Sequence, residues 1–318
     1  MYKSEQVAIV IVVEVIAGVF LGPHGLRSGW RVLIFAIAFA ICAIGVHLAF
    51  QHIGVGRETT RQVRSGILLP SYVLIWEGIQ CVLILLVTAV FSRVEQRPWR
   101  DYGLPWADAF RRRVWLGALW GLAAISIEIA ITYALHGFAF DGLALPPATV
   151  ARYGIEWGMA FLIVAIFEET TFRGYVLQTL ARGIGFWPSA LICSALFGAI
   201  HINNAGESYR GAVEAALFGL FFCFTIYRTG TLWFAIGFHA AWDFGETFVY
   251  AVPDSGLLAK GHLINSSLHG PWWVTGGSVG PEGSAICFGI LLLLFAVAAL
   301  TLRHTPVTQQ LPSTVDIR

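Results

Sequence analysis

Long apolar runs constrain the fold of this chain more than any other feature. About nine stretches are apolar enough to be considered as membrane-spanning helices, which need roughly 20 mostly apolar residues each. The stretches lie at Val7–Leu21, Trp30–Phe50, Ile67–Phe91, Val114–Leu135, Ile155–Leu180, Phe186–His201, Ala212–Tyr227, Thr231–Val252 and Ser284–Leu302. We therefore expect an all-α fold, a polytopic transmembrane helical bundle of about eight to nine spans.

Composition supports a membrane protein and excludes several other classes. Hydrophobic residues make up 57% of the chain and charged residues 12%, against about a quarter charged in ordinary soluble domains. A net charge of +1 with scattered basic residues argues against a nucleic-acid partner. The five cysteines form no C-x-x-C pair, which argues against a disulfide framework or a cysteine zinc site. Membrane lipid is therefore an expected partner, and the sequence leaves the oligomeric state open.

Polar segments divide the chain into three parts. Residues 1–154 are expected to hold N-terminal transmembrane helices and basic loops, residues 155–252 a core, and residues 253–318 a polar loop, the last span and a disordered tail. The segment Val94–Arg113 is predicted to be either an amphipathic helix on the membrane surface or a solvated loop. In the polar loop Pro253–Gly283, GGSVG (276–280) formally matches G-x-S-x-G. A nucleophile elbow needs a strand before it and a helix after it, so a turn is predicted instead.

Ionisable residues inside the apolar core segments are the strongest sign of function. Charged groups in a bilayer are costly, and they persist mainly where they line a cavity and act in it. They occur here in three groups, on three of the apolar segments: Glu168, Glu169 and Arg173; His201; His239 and Asp243. These are the residue types that hydrolysis requires, so their coincidence predicts a catalytic site within the membrane.

Helical spacing separates the roles of the two adjacent glutamates. Glu169 and Arg173 are four residues apart and share one face of a helix, with the glutamate in the favourable N-terminal position. Glu168 points roughly 100° away from Glu169. We therefore expect Arg173 to neutralise Glu169, leaving Glu168 free to face a polar cavity as a general base. His239 and Asp243 are also four apart and project from one side of their helix.

Less specific interpretations remain open. The E-E-x-x-x-R group could be a structural ion pair, and the solitary Glu77, Glu128 and Glu214 more often mark hydrogen bonds between helices than catalysis. A transporter or channel could use the same acids and imidazoles to relay protons or bind a cation, although the sequence has no internal repeat or paired broken helices. A catalytically silent immunity or scaffold protein of the membrane is the third possibility.

The three groups resemble the motifs of the CAAX-protease and bacteriocin-processing family, known as CPBP or Abi, which includes the type II CAAX prenyl endopeptidases. The family pattern is E-E-x-x-x-R, then F-x-x-x-H, then H-x-x-x-N or D. The matching residues, in order, are Glu168, Glu169, Arg173, Phe197, His201, His239 and Asp243.

This resemblance implies an intramembrane endopeptidase of a bacterial plasma membrane that hydrolyses a peptide bond in a membrane-associated protein or peptide. A protein or peptide substrate is therefore the second expected partner. Glu168 and His201 would hold and activate the attacking water. His239 and Asp243 would either stabilise the oxyanion or join Glu168 and His201 as ligands of a divalent metal such as zinc, in a metallo-endopeptidase. Asp243 stands where many relatives have Asn. Because an ionised Asp cannot donate a hydrogen bond, this favours metal ligation or a protonated Asp243.

Overall fold

The computed structural model describes residues 18–22, 25–53, 67–204 and 206–303, and the described part is predominantly helical. The helices are α1 (Ser28–Ile53), α2 (Pro70–Val94), α3 (Arg112–Ala134), α4 (Pro147–Glu169), α5 (Leu177–Ile184), α6 (Phe186–His201), α7 (Tyr209–Thr229), α8 (Trp233–Phe244), α9 (Trp272–Thr275) and α10 (Ala285–Thr301). The short strands are β1 (Leu21–Gly22), β2 (Gly25–Leu26), β3 (Ile67–Leu68), β4 (Phe138–Leu143), β5 (Leu258–Ala259) and β6 (Ile264–Leu268).

The expected fold class is confirmed: the protein is an integral membrane protein built as a helical bundle. Within the described ranges, five helical segments are long and apolar enough to span a membrane, namely α1, α2, α3, the continuous segment Pro147–Ile184 and α7. α6 and α10 are apolar but shorter, with 16 and 17 residues. Most of the predicted span Val7–Leu21, and the predicted disordered tail from His304, lie outside the described residues.

Helix ends follow local capping chemistry. The Ser208 hydroxyl accepts a hydrogen bond from the Gly211 amide at the start of α7, and Gly230, with φ of 73°, ends the same helix. Ser284 caps α10 by accepting from the Cys287 amide at 3.0 Å. Side-chain oxygens at helix N-termini and left-handed glycines at C-termini satisfy backbone groups that the helix leaves unpaired.

A glycine-mediated crossing brings α3 and α8 into close contact. A Cβ atom on Gly237 of α8 would overlap the carbonyl oxygen of Val114, and one on Gly121 of α3 would overlap that of Phe238. Small residues let helix backbones approach closely within membranes. This crossing places α8, which carries His239 and Asp243, in the middle of the bundle, and Phe234, Ile236 and Phe238 of α8 are fully buried.

Two helices end in π-helical turns near the ionisable residues. Thr170–Val176 continues α4 and carries Arg173, while Gly245–Val249 continues α8 and carries Glu246. Such turns are rare and frequently occur at functional sites. They shift the side chains of the following turn relative to a regular α-helix.

The Val94–Arg113 segment differs from both expectations. It forms two short 3₁₀ turns, Trp99–Tyr102 and Trp106–Asp108, and the side chains of Tyr102 and Leu104 are fully buried. The segment is therefore not a single surface helix, and it is not a fully solvated loop either, because Tyr102 and Leu104 pack into the bundle while Trp106 and Phe110 stay about half exposed. The Leu232 amide, just before α8, donates to the carbonyl of Gly103 at 2.8 Å.

The Pro253–Gly283 segment is more ordered than a polar loop. Its strand β6 pairs antiparallel with β4, with Phe138 opposite Leu268, and its strand β5 pairs parallel with β3. GGSVG forms a turn in which Gly276, Gly277 and Gly280 have positive φ. The predicted turn is therefore present, and α9 rather than a strand precedes it. The division of the chain into three parts stays a prediction.

Candidate active site

A cavity of about 290 Å³ lies between the helices that carry the three motifs. Four of the six predicted site residues line it: Glu168 at the end of α4, His201 at the end of α6, and His239 and Asp243 on α8. Glu169 and Arg173 lie behind this lining, with both side chains fully buried. The fold thus brings residues that are up to 75 positions apart in the sequence, from Glu168 to Asp243, to one pocket.

Glu169 is the centre of a buried ion-pair network. Arg173 Nη1 donates to Glu169 Oε1 at 3.1 Å, and His239 Nδ1 lies 3.1 Å from the same oxygen. The Arg173 guanidinium also lies over the ring of Phe197, 4.1 Å from its centroid. A buried charge is tolerable only when it is paired and hydrogen-bonded, so Glu169 and Arg173 make each other's burial possible.

His239 is surrounded by carboxylates on both sides of its ring. Nδ1 faces Glu169, whereas Nε2 lies 3.6 Å from Glu168 Oε2 and 3.5 Å from Asp243 Oδ2. An imidazolium donates from both nitrogens, and this environment favours that form. If Glu168, Glu169 and Asp243 are all counted as ionised, their three negative charges exceed the two positive charges of Arg173 and an imidazolium His239 by one.

Glu168 and His201 both line the cavity, and each has a side-chain atom for which the described residues supply no hydrogen bond. Glu168 Oε2 is buried without a hydrogen-bond partner. His201 Nδ1 lies 2.7 Å from the carbonyl oxygen of Phe197. Because a carbonyl only accepts, Nδ1 carries the hydrogen and Nε2 is the nitrogen left for a ligand. Phe197 therefore supports the site twice, through its ring under Arg173 and through its carbonyl on His201.

The arrangement of Glu168, His201, His239 and Asp243 does not fit a metal site well. Among the described residues, no three of these four side chains bring ligand atoms within 4.8 Å of one another. Both nitrogens of His239 already face carboxylates, whereas a metal-bound imidazole needs a free lone pair on one nitrogen. The zinc hypothesis stays a prediction, and no step below is routed through a metal.

Sequence reasoning missed three acidic residues of the cavity lining. Glu77 on α2, which the sequence assigned to contacts between helices, lines the cavity, as do Asp254 and Glu282 from the Pro253–Gly283 segment. Burial raises the pKa of Asp254 to about 7, and the nearby charge of Glu282 adds to this shift. Glu128, by contrast, accepts a hydrogen bond from Ser284 on a different part of the bundle at 2.9 Å. Only the position of Asp254 and Glu282 in a polar segment between two spans could have pointed to them.

Fold and site together define an integral membrane protein with a buried centre of carboxylates and imidazoles. Comparison with known proteins finds a family match over part of the chain. Residues 150–245, which include all six predicted site residues, match the family described as "Type II CAAX prenyl endopeptidase Rce1-like". The resemblance drawn from the motifs is therefore confirmed for this segment.

One curated protein is also similar to part of this chain. The "Uncharacterized protein YyaK" of Bacillus subtilis (strain 168) is 29% identical over 156 residues, which cover 46% of this chain and 50% of the relative. The chain thus spans half the length of the curated relative it matches.

Proposed function

We propose that the protein is an intramembrane endopeptidase that hydrolyses a peptide bond of a membrane-associated protein or peptide with a water activated by Glu168 and His201. One observation carries this proposal. Glu168 lines the cavity, and its Oε2 atom accepts no hydrogen bond and lies 3.6 Å from His239 Nε2, while the neighbouring Glu169 is fully buried and neutralised by Arg173 at 3.1 Å. The pair of adjacent acids is thereby divided into a reactive and a supporting member.

The reaction begins with a water molecule held between the Glu168 carboxylate and His201 Nε2. The water donates one hydrogen to Glu168, and its second contact is to His201 Nε2. Glu168 takes the proton as the water oxygen attacks the carbonyl carbon, which produces a tetrahedral oxyanion. As the C–N bond breaks, Glu168 returns the proton to the leaving amine, so the residue ends each cycle in its starting form.

The oxyanion is stabilised by His239 and Asp243 in this proposal. Preorganised donors aimed at a developing negative charge are among the largest contributions to such reactions. We propose that a proton on Asp243 neutralises the excess negative charge of the site. A protonated carboxyl group can donate a hydrogen bond, whereas an ionised one cannot. His239, 3.5 Å away, then contributes a positive charge, and Glu169 keeps its ring oriented.

The experiment that tests the proposal compares membranes containing the wild-type protein, Glu168→Gln or Glu156→Gln. Mass spectrometry of new peptide termini in membranes incubated with each protein detects cleavage whichever membrane protein is the substrate. Loss of the general base is expected to slow formation of the termini by roughly 10²–10⁴-fold. Glu156 pairs with Arg152 on the exposed side of α4, so Glu156→Gln controls for loss of a carboxylate and should behave as wild type. Termini formed equally fast by Glu168→Gln would exclude Glu168 as the base.

A further inference from the structure

A second acidic cluster adjoins the catalytic cavity. Glu246, Asp254 and Glu282 each place a carboxylate oxygen so that the three oxygens lie within 4.8 Å of one another. Glu246 belongs to the π-helical turn after α8, and Glu282 to the 3₁₀ turn before α10. None of the six motif residues takes part in the cluster, which therefore needs an explanation of its own.

The charge of this cluster is not balanced by protein cations. Among the described residues, no lysine, arginine or histidine makes an ion pair with any of the three carboxylates. Glu246 is fully buried, and its Oε1 atom is enclosed without a hydrogen-bond partner. Three like charges at this separation repel strongly in a buried site, so a positive species must join them for all three to remain ionised.

Neutral donors hold one oxygen of each carboxylate. Trp242 Nε1 donates to Glu246 Oε2 at 3.1 Å, and Thr247 Oγ1 donates to Asp254 Oδ2 at 2.9 Å. Ser255 donates to Glu282 Oε2 twice, from its amide at 3.2 Å and from its hydroxyl at 2.7 Å. Outer hydrogen bonds of this kind orient the carboxylates that ligate metals.

We infer that Glu246, Asp254 and Glu282 form a binding site for a hard divalent cation of the calcium, magnesium or manganese type. The donor set consists of carboxylate oxygens without imidazole or thiolate, which is the set such cations prefer. Asp254 and Glu282 also line the cavity, so water and ions can reach the cluster from there.

The consequence of binding is structural. Asp254 lies at the start of the Pro253–Gly283 segment and Glu282 at its end, whereas Glu246 belongs to the continuation of α8. A cation shared by the three would fasten both ends of the segment to the helix that carries His239 and Asp243. Because Asp254, Ser255, Leu257 and Glu282 line one part of the cavity, the cation would hold that part of its wall in place. This inference does not depend on the proposed peptidase activity.

The test uses the purified full-length protein in detergent, stripped with EDTA and then given Ca²⁺, Mg²⁺ or Mn²⁺ alone. Thermal melting and isothermal titration calorimetry are measured for the wild type, Glu282→Gln and Glu156→Gln. At least one cation should raise the melting temperature of the wild type and of Glu156→Gln. Glu282→Gln should bind that cation at least tenfold more weakly and lose the shift. Asp254→Asn serves as the second cluster variant if Glu282→Gln does not fold.

Glu168→Gln separates this site from the catalytic motifs, since it should retain the cation-dependent shift even if it abolishes cleavage. The inference is overturned if none of the three cations shifts the wild-type melting temperature, which would mean that protons alone relieve the repulsion. It is also overturned if the shift survives in both cluster variants, or if Glu168→Gln removes it.

Discussion

Replacing Glu169 by glutamine should destabilise the helical bundle by about 3–5 kcal/mol, the usual cost of leaving one member of a buried ion pair uncompensated. Both side chains of the Glu169–Arg173 pair have no exposed surface. The substitution removes the only ion-pair partner of Arg173 within the described part of the chain, and it also weakens the contact to His239 Nδ1.

The remaining contacts of Arg173 are too weak to offset this loss. Its Nε and Nη2 atoms are already buried without hydrogen-bond partners. The stacking of its guanidinium on Phe197 at 4.1 Å contributes about 0.5–2 kcal/mol. At roughly 2–4 °C per kcal/mol for a domain of comparable size, the melting temperature should fall by roughly 6–20 °C.

The assay is thermal melting of purified protein in one detergent, with Glu156→Gln as a matched control. Glu156 also pairs with an arginine four residues away, at 2.7 Å, but Arg152 is 71% exposed. The shorter distance would make this the stronger pair if separation alone mattered. Because an exposed pair is screened by water, we expect no measurable shift for Glu156→Gln. An equal loss in the two variants would refute the argument from burial. If Glu169→Gln melts like the wild type while cleavage collapses, Glu169 acts in catalysis and the assigned division between the two glutamates is wrong.

Two further predictions concern the oxyanion donor and the helix crossing. Asp243→Asn should keep cleavage within about tenfold of the wild-type rate because the amide still donates, whereas Asp243→Ala should lose roughly 10²–10³-fold. If Asn is as inactive as Ala in the assay of new peptide termini, a carboxylate is required and the metal hypothesis gains support. Gly237→Ala should destabilise the protein by about 1–3 kcal/mol, since its Cβ would meet the Val114 carbonyl. Gly45→Ala, where nothing lies within 4 Å, should be neutral or stabilising by up to about 1 kcal/mol, and detergent melting of both variants decides the point.

Features that depend on local spacing could be predicted from the sequence. Apolar runs of spanning length are sufficient to predict a helical membrane bundle, because an unpaired backbone is too costly in lipid. The contact between Glu169 and Arg173 follows in the same way from a separation of four residues on one helix. The three motifs also pointed to the family that residues 150–245 match.

Contacts between distant parts of the chain required the tertiary structure. No local pattern places His239 between Glu168, Glu169 and Asp243, since this depends on how closely α8 packs against its neighbours. The sequence of the Pro253–Gly283 segment predicts a polar loop. In the structure, strands of this segment pair with β3 and β4, and its residues Asp254 and Glu282 line the cavity. Helix periodicity and hydrophobicity are properties of neighbouring residues. The sequence was therefore enough to predict a helical bundle and to predict which residues of a motif lie on the same face of their helix. Which faces meet depends on packing between segments far apart in the chain, and that became visible only in the folded bundle.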